Sequence, residues 1–140
     1  VARALPDGAV DLLGRLDGLV PVPTDWAGRI RYRCWPVGLL AARVSRQLDV
    51  CVRPVLELKG KRMRQVGLPA SERAANIRGV FHIKRRARVD GARLCIIDDV
   101  STTGSTVQEV TRVLRAGGAE AVFAAVIAKT DAGRSDQHVS

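Results

Sequence analysis

The sequence predicts a single α/β domain in which a mostly parallel central sheet is flanked by helices. Three observations predict it. The apolar run Leu94-Cys95-Ile96-Ile97 ends in adjacent carboxylates, Asp98 and Asp99, as a buried parallel strand does when it delivers acidic groups to a sheet edge. An amphipathic stripe of Val107, Val110, Val113 and Leu114 follows, and Gly117-Gly118 stop it as a helix. A second continuous apolar run, Ala121 to Ala128, completes a strand-helix-strand unit, which implies a right-handed crossover between parallel neighbours.

The other elements follow in chain order. Val10, Leu13 and Leu16 recur at about helical spacing after the start signal Pro6-Asp7, predicting a short opening helix from Asp7 to Leu16. Residues Gly18 to Pro23 read as a buried strand running into a loop, Thr24 to Arg33, with the prolines confined to its end. Pro36 suits the first position of a helix whose Val37, Leu40, Ala41, Val44 and Leu48 share one face. Val50 to Leu58 is β-branched and short enough for a strand, with Pro54 marking an edge or a bulge. Lys59 to Pro69 has neither periodicity and reads as a mobile loop. A helical run from Ser71 is closed by Gly79, and Val80 to Ile83 follows as a strand. Lys84 to Gly91 is a basic turn into the Leu94 strand. These elements place the domain at residues 1–130, with a polar, frayed tail at 131–140.

Composition narrows the possible functions. At 140 residues the chain has room for one modest core. No apolar run approaches the roughly 20 residues needed to span a bilayer, and no charged start leads into an apolar signal segment, so the expectation is a soluble, cytoplasmic protein with no membrane partner. Cys34, Cys51 and Cys95 are too far apart for a zinc or redox pair, and Cys95 lies inside the apolar strand as a small core residue. The formal net charge of +9 favours anionic partners. Two clusters carry much of the excess: Lys59, Lys61, Arg62 and Arg64, then Lys84, Arg85, Arg86 and Arg88. Aromatic residues make up only 4%, which counts against a dedicated single-strand binder built on stacking platforms. His82 has no carboxylate, serine or cysteine partner in view and reads as a strand residue.

The stretch from Leu94 to Thr106 carries the chemistry. Backbone N–H groups at a helix start are unpaired and partly positive, so a phosphate placed there gains hydrogen bonds and dipole stabilisation. Thr102, Thr103, Ser105 and Thr106 add short hydroxyl donors, and Gly104 lets a ligand approach the backbone without a Cβ in the way. Asp98 and Asp99 repel phosphate but accept from sugar hydroxyls, a charge-assisted bond of about 1.5–3 kcal/mol. Their oxygens also suit Mg²⁺, a hard ion. A ligand with a phosphate at one end and a diol at the other fits this order of residues: a ribose 5-phosphate. A Walker A loop is excluded because no Gly-Lys precedes the hydroxyl residues.

The run Leu94 to Thr106 resembles, without a gap, the phosphoribosyl-diphosphate (PRPP) signature of type I phosphoribosyltransferases. That resemblance implies the type I phosphoribosyltransferase-like fold, Asp98 and Asp99 on the ribose hydroxyls with Mg²⁺, and Thr102, Thr103, Gly104, Ser105 and Thr106 around the 5-phosphate. It also implies a diphosphate loop after the first strand, where Val20-Pro21-Val22-Pro23 is similar and Arg29, Arg31 or Arg33 pairs with diphosphate, and a flexible loop where Lys61 or Arg64 closes on it. Both loops equally suit solvated basic surface, and the sequence leaves that open.

Gln65, Leu68, Arg73, Asn76, Gly79 and Phe81, followed by the Asp98-Asp99 motif, further resemble the ComF family of competence-associated phosphoribosyltransferase-like proteins, from about Leu19 to Lys129. Members of that family carry a cysteine-rich zinc-binding segment ahead of this domain, and this chain begins after that place, as a fragment or a shortened member would. Where the family has Arg-x-Arg-Gly-Phe-Asn-Gln, this chain has Arg31-Tyr32-Arg33-Cys34-Trp35-Pro36-Val37 and so lacks two amide side chains and a flexible position beside the diphosphate loop. The resemblance thus implies a PRPP-binding protein that transfers the phosphoribosyl group to an acceptor the sequence does not identify. The alternatives it leaves are a non-catalytic PRPP sensor and a competence protein that binds single-stranded DNA.

Overall fold

The computed structural model describes residues 16–23, 36–59, 77–101 and 104–129. Strand β1 (Gly18–Pro21) is followed by helix α1 (Pro36–Leu48), strands β2 (Leu56–Leu58), β3 (Phe81–Ile83) and β4 (Arg93–Ser101), helix α2 (Ser105–Ala116) and strand β5 (Ala121–Lys129). β4 lies between β1 and β5 and is parallel to both, with Leu19 opposite Cys95 on one side and Cys95 opposite Phe123 on the other. β2 and β3 pair antiparallel as a separate two-stranded sheet, Glu57 opposite His82.

The alternation of side chains along β4 explains why its sequence is apolar without a break. Leu94 and Ile96 join Val110, Val113 and Leu114 of α2 in one cluster, whereas Cys95 and Ile97 join Val37 and Ala41 of α1 in another. The helices therefore cover opposite faces of the sheet, and every residue from Leu94 to Ile97 is buried. At roughly 1.5–3 kcal/mol for each large side chain removed from water, these two layers hold the strand in register. Burial also pushes the Cys95 thiol up to about 11, which keeps it an inert core group.

Both helix ends have local causes. α1 begins at Pro36, whose missing N–H costs nothing at a first position, and stops at Asp49, which adopts φ 54. α2 ends at Gly117, and Gly118 then takes φ 93 with its N–H on the Arg115 carbonyl. A Cβ at Gly118 would lie 2.3 Å from Asp90 Oδ1, so glycine is required there twice over.

One expectation needs correction. Val50 to Leu58 is not one strand. Val52 bridges Leu19 in parallel, beyond β1 in the main sheet, while Leu56–Leu58 belongs to the β2–β3 hairpin. Pro54, which has no N–H to donate, stands where the chain leaves one sheet for the other. The apolar run at the end is β5, parallel to β4 as expected, and its Ala124 and Ala125 are exposed. The opening helix before Leu16, the loop 24–33 and most of the run from Ser71 to Arg78 lie outside the described residues. Gly79, at the end of that run, has φ 75, as a helix stop requires. No described helix is long and apolar enough to cross a membrane.

Candidate functional site

β4 carries Asp98 and Asp99 to the C-terminal edge of the parallel sheet, and the chain passes from there into α2 within a few residues. Asp98 is 6% exposed and Asp99 is half-buried. Continuing the alternation of β4 by one step places Asp98 on the α2 face with Ile96 and Asp99 on the α1 face. The two carboxylates therefore flank the strand end. The Asp99 N–H donates to Asp98 Oδ1 at 3.0 Å.

Electrostatics make Asp98 unusual. Burial pushes its carboxyl up to about 6, and the neighbouring charge of Asp99 adds to the rise, against the opposing hydrogen bond from the Asp99 N–H. Among the described residues no cation pairs with it. A carboxylate in that condition gains from an incoming hydroxyl or a cation.

The turn after β4 is built for close approach. Gly104 takes φ 75 and ψ 0 as the N-cap residue of α2 and, as glycine, has no side chain with which to cap it. Its carbonyl accepts from the Gln108 N–H at 2.9 Å, which starts the helix ladder. The N–H groups of a first turn have no carbonyl of their own helix to reach, so they face outward from this end. Ser105 and Thr106, half-buried, form that first turn.

Of the residues singled out in the sequence, Asp98, Asp99, Gly104, Ser105 and Thr106 come together at this edge. Thr102 and Thr103, which connect them, lie outside the described residues, as do Arg29, Arg31, Arg33, Lys61 and Arg64. His82 is a half-buried strand residue whose Nε2 lies 3.1 Å from the Gly79 carbonyl oxygen, in keeping with its expected role. For a metal, the described residues contain no cluster of three or more His, Cys, Asp or Glu side chains. The oxygen donors Asp98 and Asp99 do fit Mg²⁺, which keeps waters and ligand oxygens in most of its positions and needs only one or two protein carboxylates.

Sequence reasoning missed Glu109. Its carboxylate, 7% exposed, accepts from Arg112 through Nε at 2.8 Å and Nη2 at 2.7 Å, and from the Gly79 N–H at 2.7 Å. The Arg112 guanidinium holds the Glu109 carboxyl down to about 2. A signal was present: an acid four residues before Val113, at the edge of the apolar stripe, with an arginine at i+3.

Comparison with known proteins agrees with this geometry. The phosphoribosyl transferase domain matches residues 38–139. Competence protein F of Haemophilus influenzae is 32% identical over 116 residues, 76% of this chain and 47% of that protein. The orotate phosphoribosyltransferase of Sphingopyxis alaskensis is 33% identical over 124 residues, 81% of this chain and 59% of that protein. The chain thus spans about half the length of these curated relatives. A purine phosphoribosyltransferase from Pyrococcus horikoshii superposes with a TM-score of 0.52 at 22% identity, over 88% of this chain and 71% of that one, which is a likeness of fold. With a parallel sheet between two helices, a glycine turn after Asp98-Asp99 and a domain match over most of its length, the chain belongs to the phosphoribosyl transferase domain family.

Proposed function

We propose that this protein binds PRPP, or another ribose 5-phosphate ligand, at the edge formed by Asp98 to Thr106. The observation that carries the reading is the pairing of a buried carboxylate, 6% exposed and raised to about 6, with a helix start whose N-cap residue is glycine only a few residues later. The first asks for hydroxyls or a cation, the second for an anion, and a ribose 5-phosphate offers both.

In this reading Asp98 and Asp99 accept from the 2′- and 3′-hydroxyls, and the turn from Thr102 to Thr106 donates to the 5-phosphate. Mg²⁺, held by Asp98 and Asp99 together with ligand oxygens, would supply charge neutralisation to a departing diphosphate. What the chain itself contributes is positioning: two fixed ends of a ribose phosphate leave the anomeric carbon oriented toward an acceptor. Arg29, Arg31, Arg33, Lys61 and Arg64 are the proposed diphosphate cations, through the guanidinium fork or a lysine point charge. Transfer to an acceptor would form a bond at the anomeric carbon and release diphosphate. Incubation of PRPP and Mg²⁺ with candidate acceptors tests this by assay of diphosphate. Binding with release supports a transferase, and binding without release supports a sensor. No PRPP binding to the intact protein would end both.

A second reading has its own observation. Lys84 Nζ donates to the Pro54 carbonyl at 2.6 Å and Arg53 Nη2 donates to the Arg88 carbonyl, so among the described residues these cations are gathered by backbone oxygens and not by carboxylates. With exposed Arg85 and Arg86 they form a basic ridge before β4, at the opposite end of that strand from Asp98. Such a ridge suits the phosphates of a single-stranded DNA, whose affinity would fall steeply with salt. Replacing Arg85 and Arg86 with alanine would reduce both the affinity and its salt slope.

A further inference from the structure

A cleft of about 270 Å³ opens between α2 and the turn that enters β3, lined by Ile77, Arg78, Ser105, Gln108, Glu109 and Arg112. Its size lies just below the roughly 300–1,000 Å³ of sites for drug-sized ligands, which suits a small polar group. Two arginines and one carboxylate give the lining a net positive charge. The carboxylate is also the most thoroughly occupied: the two oxygens of Glu109 already take three donors, from Arg112 twice and from Gly79. It therefore acts as a fastener. Through the Gly79 N–H it fixes the backbone beside Arg78, and through a two-point grip it fixes the plane of the Arg112 guanidinium.

The cations keep capacity for a ligand. Arg112 spends two of its five N–H donors on Glu109, and Arg78 makes no hydrogen bond among the described residues. Gln108 adds an exposed amide, and Ser105 connects the cleft to the first turn of α2.

We propose that this cleft is a second phosphoryl-binding site, with Arg78 and Arg112 as its cations and Glu109 as the positioning residue that builds it. Its place beside a first phosphate rests on the reading of the Asp98–Thr106 edge, whereas its own cations do not. The phosphoryl group is that of free diphosphate, since the diphosphate end of a ligand anchored at that edge is proposed to meet the loop cations instead.

Calorimetry on the full chain, with inorganic diphosphate, ribose 5-phosphate and PRPP as separate titrants, tests the proposal in wild type, Arg78→Ala, Glu109→Ala and Glu109→Gln. Diphosphate affinity is expected to fall about tenfold or more in Arg78→Ala, the loss of a charge-assisted contact. It is expected to fall in Glu109→Ala as well, although removal of a negative charge would by itself tighten an anion. Glu109→Gln keeps an acceptor for the Gly79 N–H and should lie between. Ribose 5-phosphate affinity should stay within about twofold in all variants, as for an independent site. Diphosphate is expected to bind beside saturating PRPP, and its complete displacement by PRPP would assign that binding to the PRPP edge and overturn the proposal. No diphosphate binding by the wild type, or unchanged or tighter binding in Glu109→Ala with Arg78→Ala unaffected, overturns the proposal. If ribose 5-phosphate fails to bind while diphosphate binds in an Arg78-dependent way, the reading of the Asp98–Thr106 edge fails and the cleft stands.

Discussion

Asp98 and Glu109 are equally buried carboxylates in opposite electrostatic conditions. Both are almost out of solvent, at 6% and 7% exposure. Glu109 is answered inside the protein by a guanidinium and a backbone N–H, and its carboxyl is held down to about 2. Among the described residues Asp98 is answered by the Asp99 N–H and otherwise meets burial and a like charge, so its carboxyl rises to about 6. A buried charge satisfied by its own fold is a structural device. One that the fold leaves short of partners, at the edge of a parallel sheet, is where a ligand finds free energy to gain.

The contrast makes opposite predictions for neutral replacements. Asp98→Asn should stabilise the ligand-free protein at pH 8, by up to ~3 kcal/mol, the linkage value of a carboxyl raised from 3.8 to about 6. The sign follows from protonation: the folded state holds the proton more tightly than the unfolded chain. The contribution of Asp98 to stability is therefore greatest below pH 4 and is lost as pH rises through about 6, and Asn escapes that loss. Urea melts of both proteins at pH 4 and pH 8 check it, and a gain that persists undiminished at pH 4 would break the account.

Glu109→Ala should destabilise by about 1–3 kcal/mol, because the Gly79 N–H loses its acceptor. The pH dependence is reversed here: a carboxyl lowered to about 2 contributes stability above its ordinary 4.5 and loses it as pH falls toward 2. The difference between wild type and Glu109→Ala in thermal melts should accordingly narrow from pH 6 to pH 2. Arg112→Ala should have a smaller effect of the same sign, since its side chain is 53% exposed and water replaces much of the pairing. Equal melting losses for Arg112→Ala and Glu109→Ala would show that the Gly79 contact contributes nothing.

The difference between the two acids also marks what the sequence disclosed. Asp98 was legible because its evidence is local: an apolar run, two acids and a glycine turn all lie within Leu94 to Thr106. The doubly covered β4 followed from the same run, since an unbroken apolar strand needs cover on both faces. Glu109 left only its spacing from Val113 and Arg112 as a signal, because its partner Gly79 is 30 residues away and i,i+3 spacing alone reads as an exposed pair. The split of Val50 to Leu58 between two sheets was hidden for a similar reason. Pro54 announced an interruption, but only the separate pairings of Val52 with Leu19 and of Leu56 with Ile83 decided where each half went. The exposure of Ala124 and Ala125 depends on what packs over the faces of β5, which an apolar run cannot report.

The most direct test joins stability and binding in one variant. Asp98→Asn should melt above the wild type at pH 8 and, titrated with PRPP and Mg²⁺, should lose about tenfold to a hundredfold in affinity, as expected when a charge-assisted contact is removed. An Asp98→Asn protein that binds PRPP as tightly as the wild type, or a wild type that binds none, would contradict the account.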